Sequence, residues 1–142
     1  MADIADEIAS EAENAAALCE YHSGTALDYS EASLVHVEKT LADAEQWRGE
    51  FPQDRLENVI VSIGCYILEV GRREFGGRYM WHDERNQPVL VVGEPTFRVA
   101  IITQDKVRGR LGGDPADNIP FFYSGFAELA RTAAPGTDAL CV

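Results

Sequence analysis

Few of the features that announce a chemistry are present. Three cysteines, Cys19, Cys65 and Cys141, lie far apart with no CxxC pair. Their odd number fits poorly with a disulfide framework and predicts reduced thiols in a cytosolic protein. Three histidines are scattered at 22, 36 and 82, with no HExxH and no Cys/His cluster, so no metal is expected. No GxSxG elbow occurs, and neither glycine-rich stretch, "GRREFGG" or "GRLGGDP", carries a Walker lysine or opens a helix directly after a strand. No cofactor is expected. No apolar run reaches about 18 residues, which argues against a membrane span. The acidic start "MADIADEIASEAENAAAL" lacks the basic region of a secretory signal.

Basic residues are scarce in one half. Residues 1–60 hold 14 acids against 3 bases, a balance of −11, while residues 61–142 hold 10 against 9, a balance of −1; the sum is the net charge of −12. Phosphate neutralisation needs clustered Lys and Arg, so a nucleic-acid partner is not expected. A surface of this sign favours a basic protein partner, or it serves solubility.

What is present is a single domain's worth of ordinary globular sequence, 142 residues long, expected to form one α+β unit over 1–142. Ile4, Ile8, Ala12, Ala15 and Leu18 make a thin helical stripe, so residues 1–24 are expected to dock loosely, with Gly24 as the stop. A second helix is expected within 28–47, with Leu34, Val37, Leu41 and Ala44 on one face and either Asp28 or Ser30 as its cap. A third, from about Asp54 to Phe75, is apolar on most sides and is expected at the centre of the core. Gly64 and Gly71 are nearly in line on it, which predicts close approach of another backbone. Gly76-Gly77 ends it.

The period then changes. "RYMWH", "PVLVVG", "FRVAII" and "KVRGRL" are expected as three or four short strands in an antiparallel sheet, because their connections are too short for parallel crossovers. "IPFFYSGFAELARTA" is expected as a closing helix capped by Asp117 or Asn118, and "APGTDALCV" as an irregular tail.

Two basic groups invite a functional reading. Glu69 meets Arg72 at i+3 and Arg73 at i+4, which predicts a structural ion pair. Alternatively Arg72, Arg78, Lys106 and Arg108 converge on an anion. Lys106, Arg108 and Arg110 would share a face of the expected strand and could instead meet the acidic helices of the same chain. Cys65 lies in the most apolar helix, where a thiol is inert. Phe122, Tyr123 and Phe126 have core spacing.

"SIGCYILEVGRREFGGRYMW", with the later "KVRGRLGGDPADNIPFFYSGF", resembles a group of small uncharacterised bacterial proteins with the pattern G-x-Y-x-x-E-x-x-R-x-x-x-G-G-x-W. Gly64, Tyr66, Glu69, Arg72, Gly76 and Gly77 fit it, and Tyr79 stands where Trp is expected. The similarity spans about residues 59–127. It implies a bacterial cytoplasmic α+β domain and brings no activity with it. The expectation is therefore a non-enzymatic interaction protein, an acidic immunity- or antitoxin-like inhibitor of a basic partner. The alternative is a small enzyme or anion-binding domain with an arginine-lined cleft. Exposed apolar faces would in addition permit a homodimer.

Overall fold

The computed structural model describes residues 3–142. The fold is α+β: α1 (Ile4–Ser23), α2 (Leu34–Glu45), α3 (Gln53–Phe75), β1 (Arg78–His82), β2 (Gln87–Val92), β3 (Arg98–Ile101), α4 (Gln104–Leu111), α5 (Ile119–Thr132) and β4 (Asp138–Cys141).

Helix α3 is the spine. Its 23 residues rise about 34 Å, and Ile60, Ile63, Tyr66, Ile67, Leu68 and Val70 are all buried. It begins after Pro52 and ends at Gly76, whose φ of 74° and ψ of −144° suit glycine alone. At Gly64 a Cβ would sit 2.9 Å from Thr103 Oγ1 and 3.6 Å from the Gln104 backbone nitrogen. The missing side chain thus lets the start of α4 lie directly on α3, and the Thr103 hydroxyl donates to the Gly64 carbonyl at 2.7 Å. Gly71 instead makes room for side chains, Leu90 and Phe126.

Helix α1 lies along α3. Ile8, Ala12, Ala15 and Cys19 are buried, whereas Leu18 is exposed. The stripe is rotated onto Cys19, and its small side chains set the contact. Gly24, at φ 74°, stops the helix. Ser30 caps the 3₁₀ turn that leads into α2 by accepting from the Ser33 N–H at 3.2 Å, while Asp28 holds the Ser30 hydroxyl at 2.6 Å. Asn118 caps α5, accepting from the Phe121 N–H at 2.9 Å.

The sheet order is β1-β2-β3-β4, with β1–β2 and β2–β3 antiparallel and β3–β4 parallel. Two sequence expectations are corrected. "KVRGRL" is helix α4, not a strand; Asp105 in its first turn and Arg108 and Arg110 in its last suit a helix dipole, and a six-residue alternation cannot separate the two periods. The tail is not irregular: Asp138–Cys141 pairs with β3, Val99 opposite Ala139 and Ile101 opposite Cys141. On the inner face Leu90, Val92, Val99 and Ile101 join the main core. On the outer face Val89, Val91, Ala100 and Ile102 form a second apolar cluster.

Candidate functional site

At the C-terminal end of α3, Glu69 is 2% exposed. Its carboxylate accepts from Arg72 Nε at 2.8 Å and Nη2 at 3.1 Å, from Arg73 Nε at 3.3 Å and from the Tyr79 hydroxyl at 2.6 Å. The Arg73 guanidinium stacks 3.7 Å from the Tyr29 ring centroid. Burial pushes the Glu69 carboxyl up, but the hydrogen bonds from Arg72 and Tyr79 outweigh it and hold it below the ordinary 4.5. Burial, and then the hydrogen bond to the carboxylate, push the Tyr79 phenol up. A carboxylate kept ionised by four donors is a poor general base, because those donors occupy its lone pairs.

The other motif positions have equally local tasks. The Tyr66 hydroxyl accepts from the Tyr29 N–H at 3.0 Å and pairs with Ser33 Oγ at 2.7 Å, bracing the segment before α2. Gly64 admits α4, and Gly76 and Gly77 turn the chain into β1. Tyr79 supplies a donor to Glu69, which an indole N–H at that position could also do. Among the described residues, no buried side-chain polar atom lacks a hydrogen-bond partner.

The expected anion site is not assembled. Arg78 pairs with Glu94 at 2.7 Å, Lys106 with Asp117 at 3.1 Å and Arg108 with Glu57 at 2.5 Å. Glu57 precedes Arg72 by 15 residues on α3, so Arg108 and Arg72 are anchored about 22 Å apart along that axis. Because α4 is a helix, Lys106 and Arg108 point about 160° apart rather than to one face. Arg110 does reach the acidic half, meeting Glu38 at 2.6 Å and Glu45 at 2.8 Å on α2.

Burial, and then the charges of Glu11 and Glu69, push the Cys65 thiol up to about 12, far from a thiolate nucleophile. His22 meets Asp43 at 2.7 Å, and His82 Nδ1 accepts from the Arg85 N–H at 3.2 Å. Among the described residues, no three His, Cys, Asp or Glu side chains gather as a metal would need. No helix of these residues is long and apolar enough to cross a membrane.

The opposite end of the helical layer is open. Between the end of α1, the end of α2 and the start of α3 lies a cavity of about 490 Å³. Leu41, Leu56, Val59 and Leu111 line it, together with Tyr21, Trp47 and Phe51, which are 92%, 54% and 40% exposed. Sequence reasoning missed this groove. Trp47 and Phe51 flank the polar "RGE" between two helices, a signal that two large aromatics sit in a connection rather than on a packed face. Tyr123 and Phe126 are buried as their spacing suggests, but Phe121 is exposed.

Comparison of the chain with family models, with curated proteins and with solved structures finds no match.

Proposed function

We propose that this chain is a non-enzymatic interaction protein of the bacterial cytoplasm, an acidic immunity- or antitoxin-like inhibitor that docks a basic protein partner. One observation carries the reading. Helix α1 has no Lys or Arg, and Asp6, Glu13 and Glu20, seven residues apart and all exposed, fall on one stripe of it. None of the three has a basic side chain within 4 Å among the described residues, whereas Glu38 and Glu45 of α2 are met by Arg110 and Asp43 by His22. The stripe runs about 21 Å, a length that matches a helix or strand of a cationic partner. The closed Glu69 cluster supports the absence of catalysis at that end.

The test is capture from lysate of the source cell at low and high salt, by wild type and by the triple variant Asp6→Asn, Glu13→Gln, Glu20→Gln. A specific basic protein should be retained at low salt, released as ionic strength screens the stripe, and lost with the variant. Retention by the variant equal to wild type sinks the reading.

A second reading has its own support. Met80 and Leu140 are exposed beside Val89, Val91 and Ala100 on the outer sheet face, around a shallow cavity of about 470 Å³. Such a face suits self-association as a homodimer. Light scattering decides it, with Leu140→Glu expected to return a dimer to monomer.

A further inference from the structure

Nine of the twelve Lys and Arg side chains form ion pairs: Arg72, Arg73, Arg78, Arg85, Arg98, Lys106, Arg108, Arg110 and Arg131. Arg48 donates instead to the carbonyls of Glu45 and Leu111. Among the described residues, only the side chains of Lys39 and Arg55 are left with neither. In a chain of net charge −12, an arginine without a carboxylate is unexpected, and its place is informative.

Arg55 stands where two chambers meet. On one side is the apolar cavity of about 490 Å³, a size usual for small-molecule sites. On the other is a polar cavity of about 410 Å³, lined by Glu11, Asn14, Asn58 and Ser62. Leu18, Arg55 and Val59 belong to both walls. Glu11 is the acid nearest to hand in the polar chamber, and it is taken up by the Ser62 hydroxyl at 2.9 Å and the Asn14 amide at 3.5 Å. Asp43, the acid of the apolar chamber, is held by His22 at 2.7 Å. The guanidinium is thus the uncommitted charge at a boundary between an oily and a wet compartment.

We propose that this junction binds a single-chain amphiphile with an anionic head, a free fatty monocarboxylate. The hydrocarbon tail fills the groove walled by Tyr21, Trp47 and Phe51. The carboxylate takes the Arg55 fork in bidentate fashion, with the Asn14 and Asn58 amides at the wet side. The acidic stripe of α1 lies about 140° around that helix from Leu18, so this site is separate from the proposed protein-docking face and stands or falls without it.

Trp47 makes the test direct. In a Trp81→Phe background it is the remaining tryptophan, and its emission is followed during titration with octanoate, decanoate and dodecanoate below their micellar concentrations. A saturable change is expected, with Kd tightening about fourfold per added methylene. Arg55→Met, whose urea midpoint should match its parent's because the side chain is exposed, should weaken dodecanoate at least tenfold and leave dodecanol unchanged. Ala44→Phe, which fills the groove and leaves Trp47 as the reporter, should abolish both. The proposal is overturned if no saturable change occurs. It is equally overturned if dodecanol binds as tightly as dodecanoate with Arg55→Met without effect, or if the Ala44→Phe protein responds as its parent does.

Discussion

The two ends of α3 handle polar and apolar groups in opposite ways. At the C-terminal end every charge is matched: Glu69 accepts from two arginines and a tyrosine, and the glycines close the turn beyond. At the N-terminal end, aromatic rings face an open groove and, among the described residues, no carboxylate pairs with Arg55. A cluster whose valences are all filled holds elements together and has nothing left to offer a ligand. A groove whose walls are half-exposed gains by being covered. The charges at the C-terminal end are therefore committed to holding the fold, as the i+3 and i+4 spacing of Glu69, Arg72 and Arg73 suggests; the deciding quantity is which groups already have partners.

The sharpest way to break this contrast is at Glu69. Glu69→Ala leaves the Tyr79 hydroxyl without its acceptor and opens space beneath two half-exposed guanidiniums, and it should lower stability by about 2.5 kcal/mol in urea unfolding, from the lost hydrogen bonds and the cavity together. A loss under 1 kcal/mol would make the cluster incidental. Gly64→Val should cost about 2 kcal/mol by forcing α4 off α3, with a lowered denaturation midpoint and an unchanged slope. Tyr79→Phe, which removes one donor from a carboxylate, should cost about 1.5 kcal/mol by the same measurement. Acid sharpens the comparison. The Glu69 carboxyl is depressed in the folded state, so its contribution is complete above the ordinary value of 4.5 and disappears as pH falls through the lower folded-state value. The gap in urea midpoint between wild type and Glu69→Gln should accordingly hold from pH 7 to 5 and shrink below about pH 4. At the open end, Trp47→Ser should move stability by no more than about 0.5 kcal/mol, since the ring is half in water already.

Much of the architecture was readable where the signal is local. Pro52 and Gly76 bracket α3, Asn118 opens α5, and β1 to β3 follow one another through short turns. The Glu69, Arg72 and Arg73 contacts were legible because helical spacing alone brings them together. The failures were non-local. Lys106-Val107-Arg108 alternates as a strand does, yet Gly64, some forty residues earlier, gives Thr103 and Gln104 a flat surface on which the helix containing those residues starts. β4 was invisible because a parallel partner leaves no turn to see. The groove was missed since it is made by the ends of α1, α2 and α3 together, none of which marks it alone.

β4 joins β3 only after the chain has travelled through residues 102–137, while β1 to β3 meet their neighbours across short loops. Closing so long an excursion is entropically the slowest pairing in the sheet. Until it happens, the backbone groups along Val99–Ile101 are bare and flanked by apolar side chains, a template for any other strand. Refolding yield should thus depend on protein concentration in part through that edge, which the four residues at 138–141 cover in the finished sheet.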